Sequence, residues 1–358
     1  QPGKDAAAIY VRGVGSLNDS QSKPLILVDG VERAFSQIDP NEVETISVLK
    51  DASSTAVFGV RGANGVILIT TRRGKSGKTQ ISASTKLGLQ QPISLVEQTG
   101  SYEFARFWNM KQERDHVTNP KLYFTPEQIE AYRTGSDPIM YPNMDWKKYI
   151  FHNLYLQSQN NVNISGGGSK VKYYMSLDVS HDSGLLNTGK AYSWNNNINI
   201  MNYTFQNNIA YKLTPTTTIK MNMNAQIRQK KSPNVSSEDL FKQILTTPIE
   251  FPVTYPSQDG RIMYGNNIIS GSTLYTNPYA RMMTSFAETN ENTLNTVIKI
   301  DQDLDFITKG LKINAFVNFK TWSSSYFDRS IAPYYYRIKS GSYDETDLEN
   351  TNYELELL

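Results

Sequence analysis

Apolar and polar residues alternate along seven stretches of this chain, and a period of two points to strands with one apolar face. From Thr217 to Arg228, Ile219, Met221, Met223, Ala225 and Ile227 alternate with Lys220, Asn222, Asn224, Gln226 and Arg228. The pattern recurs from Tyr173 to Val179, Leu294 to Phe306, Leu311 to Lys320, Ile81 to Leu89 and Tyr203 to Leu213, and more weakly from Leu156 to Ile164. The connections alternate as well: Gly166 to Lys170, Thr214 to Thr216 and Thr308 to Gly310 are tight turns, whereas Pro92 to Asn153, Asp182 to Asn197 and Gln229 to Asn277 are long. Connections inside compact domains are usually a few residues, so long ones repeated on one side predict functional loops. Antiparallel outer-membrane barrels have this asymmetry, with tight periplasmic turns and long extracellular loops. In such a barrel Ile219, Met221, Met223 and Ile227 face lipid. Lys220, Asn222, Asn224 and Gln226 then face the lumen, where a charge at position 224 is expected to be tolerated.

The long connections carry helix signals of their own. Ser101 is a candidate cap for a helix bearing Phe104, Phe107 and Trp108; Thr125-Pro126-Glu127 opens another that Gly135 closes; Ser236 or Ser237 caps a third with Leu240, Phe241, Ile244 and Leu245. These loops are therefore expected to be folded caps.

Composition removes several function classes. Lys+Arg 36 against Asp+Glu 34 leaves a net charge of +2 on 358 residues, with no bulk field to hold nucleic acid. With no cysteine there is no disulfide framework and no thiolate zinc site. A mean hydropathy of −0.48 would suit a soluble chain, but alternating barrel strands escape such averages. The histidines at 116, 152 and 181 share no metal-ligand spacing. Asp301, Asp303 and Asp305 put carboxylates on one strand face, where lumen lining explains them better than a cation site. No catalytic constellation, cofactor motif or metal site is expected.

Residues 1 to 76 read differently, as a small α/β region with strands at Ala8 to Arg12, Leu25 to Asp29, Ile46 to Leu49 and Gly65 to Thr71, and a helical turn at Pro40 capped by Asp39. Asp29-Gly30 is read as a turn, Gly59 and Gly65 as positive-φ positions, and Lys50 and Asp51 as a structural ion pair. Gly59, Gly62 and Gly65 lack the lysine and spacing of a phosphate-binding loop. A basic Gly/Ser stretch, Arg72 to Lys78, marks the boundary.

Four stretches in order resemble the plug of TonB-dependent outer-membrane transporters, and more narrowly the SusC/RagA family. They are Ile9 to Gly13, Pro24 to Val31 (PLILVDGV), Val43 to Gly59 (VETISVLKDASSTAVFG) and Arg61 to Thr71 (RGANGVILITT). The resemblance implies a plug domain over 1–76, N-terminally truncated, followed over 79–358 by the first, incomplete part of a transmembrane β-barrel. The full barrel is expected to have 22 strands, and a TonB-binding segment is expected before Gln1. The resemblance further implies multi-pass residence in a Gram-negative outer membrane and contact with its lipid. Implied too is TonB-energised import of an oligomeric nutrient with a SusD-like lipoprotein. The cargo implied is an oligosaccharide first and a peptide second. A non-transporting receptor or adhesin is the rival within the membrane, and a soluble β-sandwich module the rival outside it; the plug motifs weigh against the first and the loop asymmetry against the second. Candidate ligand contacts are Glu32, Arg33 and Phe35 on the plug, and Tyr255, Tyr264, Tyr275, Tyr334 and Tyr335 in or beside the loops, where flat rings suit sugar faces or peptides.

Overall fold

The computed structural model describes all residues except 1–8, 12–22, 34, 36–37, 39, 93–96, 116–117, 119–121, 190–191, 258–259, 348 and 350–351. Ala8, Arg12, the Asp39 cap and His116 lie outside the described residues; Ile9 to Val11 do not form the expected strand, and Ile9 and Val11 instead pack their side chains against the core of the N-terminal unit. The N-terminal unit is a small sheet of β1 (Leu25–Val28), β2 (Val31–Glu32), β3 (Val43–Leu49) and β4 (Val66–Thr71), with α1 (Ala52–Thr55) and a 3-10 segment, Ala56–Gly62, between β3 and β4. Its order is β2-β1-β4-β3, with β1 parallel to β4 and both outer strands antiparallel. The β1–β2 hairpin turns on Asp29 and Gly30, whose φ values of 50° and 90° are the left-handed pair that a two-residue hairpin turn demands. Val28, Ile67 and Ile69 form the core of this unit. The expected Lys50 and Asp51 ion pair is absent among the described residues: Asp51 stands at the head of α1, where its carbonyl accepts from Ser54 and Thr55.

The wall begins with β5 (Gly77–Gln90). The first long connection carries α2 (Ser101–Asp115), α3 (Pro126–Thr134) and α4 (Trp146–Ile150); then come β6 (Tyr155–Gly167), β7 (Val171–Ser183), β8 (Asn199–Lys212) and β9 (Thr217–Ser232). The third long connection holds α5 (Ser237–Thr246), the short strands β10 (Thr254–Tyr255), β11 (Met263–Gly265), β12 (Ile268–Ser270) and β13 (Thr273–Leu274), and α6 (Pro278–Met283). Two 19-residue strands, β14 (Ser285–Asp303) and β15 (Lys312–Ser330), complete the wall. After them β16 (Tyr335–Ser340) and β17 (Glu354–Leu357) fold back onto the third loop in the order β10-β11-β16-β17. The wall is one antiparallel seven-stranded sheet, β15-β14-β9-β8-β7-β6-β5. All seven alternating stretches contribute strands to it, and each strand is extended at one end or both by ladder hydrogen bonds beyond the pattern; β14 nevertheless stops at Asp303, so Asp305 and Phe306, expected on the strand, lie in the turn to β15.

Register sorts the two faces. Val162, Leu177, Phe205, Ala225 and Leu294 lie in one cross-strand row. The adjacent row on the other face holds Asn163, Ser176, Gln206, Asn224 and Asn295. The polar row faces the N-terminal unit, which marks it as the inner side. In the caps, α3 has its capping box at Thr125 and its left-handed stop at Gly135, and Ser236 caps α5 by accepting from the Asp239 amide at 3.0 Å. Ser101 does otherwise. It is the first residue of α2, its amide donates to Asn143 Oδ1 at 3.0 Å and its hydroxyl to the Pro142 carbonyl at 2.7 Å, so a later part of the same connection caps the helix in its place.

Candidate functional site

Two regions carry the chemistry a plugged wall can perform: the polar seam between plug and wall, and the folded cap. The seam starts at the β1–β2 hairpin, which delivers Arg33 into a site where it is 5% exposed and Glu42 1% exposed. Arg33 donates to Glu42 Oε1 at 3.3 Å and to Asn224 Oδ1 at 2.9 Å; Asn224 Nδ2 donates to Glu42 Oε2 at 3.1 Å and to Gln206 Oε1 at 2.9 Å. This assigns the amide without ambiguity, since a guanidinium only donates and a carboxylate only accepts. From Gln206 the chain passes to Asn208 Oδ1 at 2.8 Å, and Asn208 donates to Thr71 Oγ1 at 2.9 Å and the Arg72 carbonyl at 2.7 Å. Thr71 donates to the Asp29 carboxylate, which also accepts from Arg73 at 2.9 Å. The circuit thus leaves the plug at Arg33, crosses β9 and β8, and returns to the plug at the end of β4. A second bridge joins Asn41 Nδ2 to Asp178 Oδ2 at 3.3 Å.

Buried ions are retained only with close, hydrogen-bonded partners, since desolvation costs each of them several kcal/mol. Asn224 supplies a donor and an acceptor at once. A charge at this position is therefore expected to be damaging, contrary to what the alternation suggested: the side chain is 4% exposed and packed between two ions of the plug.

The cap is one hydrophobic body built from three loops. Trp146, Ile150, Leu186, Leu240, Ile244, Phe251, Tyr264 and Met282 share its core, each 2% exposed or less. Trp146 Nε1 donates to the Pro248 carbonyl at 3.0 Å, and Gln98 Nε2 to the Ile244 carbonyl at 2.6 Å, so the first and third long connections are cross-linked through backbone acceptors. Between Ile249 and Phe251, the Glu250 carboxylate has no hydrogen bond or ion pair among the described residues, and burial pushes it up to about 6.

The sequence-predicted contacts fall into separate places. Glu32 is exposed and pairs with Arg61, whereas Arg33 belongs to the seam. Phe35 is 39% exposed on the plug. Tyr264 is buried in the cap with its hydroxyl 3.3 Å from that of Tyr192, and it lies opposite Tyr335 in the β11–β16 register. Tyr275 stands 6.2 Å from the Phe251 ring, Tyr255 is buried with Met263 and Tyr336, and Tyr334 is open to solvent. Burial pushes the Tyr255 and Tyr264 phenols up. Tyr264, Tyr275 and Tyr335 meet on one core; the plug residues do not join them. Alternation placed Asn224 on the inner face but could not show that it meets the plug, and register brings Gln206 and Asn208 onto the same face. The Asp301 stripe is neutralised by Lys220 at 2.6 Å and Lys299 at 3.4 Å, Asp303 pairs with Lys312 at 2.9 Å, and Asp305 accepts from the Gly310 amide at 2.7 Å. Among the described residues no group of three potential ligands is placed to hold a metal. His181 lies 2.9 Å from Asn199 Nδ2.

The TonB-dependent Receptor Plug Domain family matches residues 1–66. The TonB-dependent receptor SusC of Bacteroides thetaiotaomicron is 29% identical over 58% of this chain and 20% of its own length. The TonB-dependent receptor P26 of Formosa agariphila is 28% identical over 80% of this chain and 26% of its own. The chain thus spans about a fifth to a quarter of these curated relatives. The RagAB peptide importer in its open-open state superposes with a TM-score of 0.61 at 22% identity, covering 94% of this chain and 37% of that one, which establishes the fold. Its closed-closed state gives 0.62 at 21% identity over 94% and 38%. No helix among the described residues is long and apolar enough to cross a membrane, which says nothing about strands. Plug, antiparallel wall and relatives thus agree: residues 1–66 match the plug domain of TonB-dependent receptors, and the chain as a whole is similar to SusC-like TonB-dependent receptors and shares the fold of the RagAB importer.

Proposed function

We propose that the protein imports an oligomeric nutrient across a Gram-negative outer membrane, an oligosaccharide in the first instance, with the plug released by TonB and a SusD-like lipoprotein seated on the cap. The cargo crosses without covalent change. The observation that carries this reading is the polar seam. A plug fixed to one wall by a continuous chain of hydrogen bonds between polar side chains can be detached by force and reseated without unfolding the wall. A non-transporting adhesin has no use for so defined a detachable contact.

Support for the partner comes from the cap. Phe107, Leu122 and Tyr123 are 62%, 43% and 57% exposed on the first long loop, and Leu245 is 51% exposed on the third. Apolar surface gathered on a folded loop marks an interaction site, and a specific partner should bury more than roughly 1,000 Å² in all. Peptide cargo is the second reading, favoured by the likeness to a solved peptide importer. The test is uptake by the full-length transporter co-expressed with its genomic neighbour. Growth on oligosaccharides that requires both proteins, and is lost on deleting residues 229–277, is expected. Uptake unchanged by that deletion, with no lipoprotein co-purifying, refutes the two-protein scheme, and growth on peptides alone replaces the glycan with the peptide.

A further inference from the structure

Where β9 ends and the chain turns into α5, a cavity of about 200 Å³ opens on the inner side of the wall. Its position follows from register. Lys230, Thr289 and Tyr326 pair across β9, β14 and β15 in a row of the inner face, as Asn224 and Asn295 do. One side is apolar and belongs to the cap core, with Leu186, Ile198, Val235 and Leu240 all buried. The other side carries the hydroxyls of Ser232, Ser237 and Thr289, none of which makes a hydrogen bond within the protein among the described residues.

Tyr326 closes the edge. Its ring is 60% exposed, and its hydroxyl donates to Asn234 Oδ1 at 2.8 Å while Asn234 Nδ2 donates to Asp328 Oδ2 at 2.7 Å, so the ring is anchored before anything binds. The charges at the margin are committed elsewhere: Glu238 pairs with Lys242 at 2.9 Å, and Lys230 is engaged within the protein. An apolar floor, an anchored aromatic edge, uncommitted hydroxyls and no free charge match a neutral ring with one face of C–H groups and a rim of hydroxyls. The space is below the roughly 300–1,000 Å³ of sites that enclose a larger small molecule. It admits one monomer of a chain.

We propose that this cavity binds a single sugar unit of the incoming oligosaccharide at the inner rim of the barrel, holding one end of the chain before the plug is released. The proposal rests on the glycan reading above. Full-length transporter in detergent is examined by saturation-transfer NMR with D-glucose, D-galactose and D-mannose, and with Ala-Ala dipeptide as the competing class. Expected is transfer to the ring protons of at least one sugar. Affinity should fall by roughly fivefold or more in Tyr326→Ala and in the near-isosteric Ser232→Ala/Thr289→Val double variant, the loss of about one or two hydrogen bonds. Lys309→Ala, in a turn at the opposite end of the wall, should bind as wild type. Sugar contact equal in all variants, or contact with the dipeptide alone, overturns the assignment. A wild type that imports oligosaccharide but shows no sugar contact overturns this subsite and leaves the import reading standing. A wild type that imports only peptides removes both.

Discussion

Breaking the plug seam at Arg33 gives the sharpest test of how the plug is held. Arg33→Met keeps length and packing but removes the guanidinium that faces Glu42 Oε1 at 3.3 Å and Asn224 Oδ1 at 2.9 Å. With Glu42 only 1% exposed, water cannot replace the lost donors without opening the interface. Removing one partner of such a buried pair costs about 3–5 kcal/mol. Asn224→Ala leaves each ion one hydrogen bond short and should cost about 1–3 kcal/mol. The double variant should show a coupling of roughly 0.5–3 kcal/mol, because both changes remove members of one network. Hydrogen exchange of the Leu25–Val28 amides in the full-length protein reads plug release directly, and a loss of about 3 kcal/mol speeds exchange by about 100-fold. Exchange within about fivefold of wild type in both single variants would mean that the seam is solvated and something else retains the plug.

Glu250 predicts a pH dependence confined to the cap. Its folded value of about 6 lies above the ordinary 4.5, so the folded cap holds the proton more tightly and loses stability as pH rises through that window. The loss totals about 2 kcal/mol, and Glu250→Gln should abolish it; an unchanged pH slope of thermal unfolding in the variant refutes the assignment. Gly59 and Gly65 have φ of 56° and 95°, but a Cβ at Gly59 would meet nothing within 4 Å whereas one at Gly65 would stand 2.9 Å from Val11 Cγ1. Gly59→Ala should therefore cost about 1 kcal/mol from backbone alone and Gly65→Ala more, an order that denaturation of the full-length protein checks. Met223→Arg on the lipid side should cost about 2–4 kcal/mol in bilayers. Asn224→Arg should be damaging as well, in detergent and bilayer alike, because it forces a second guanidinium beside Arg33. Tolerance of Asn224→Arg would contradict the seam.

The sequence alone determined the elements whose cause is local. A period of two fixes which side chains share a face, so the seven wall strands and their inward and outward sides were legible in residues such as Met221 and Asn222. Asp29-Gly30 and Thr125 to Gly135 were legible because turn and cap chemistry act within a few residues. Contacts between distant segments were not. Arg33 looked like a ligand residue because it follows a strand-ending turn, and only the folded chain places Asn224, 191 positions later, against it. Ser101 looked like a cap until Asn143 arrived from another part of the loop. The loop tyrosines were equivalent in sequence, yet Tyr264 is 1% exposed and Tyr334 56%, because β16 returns to pair with β11 and covers one and not the other. Local backbone preferences are written residue by residue, whereas burial is decided by which surfaces meet, and these long-range pairings leave no periodic trace in the sequence.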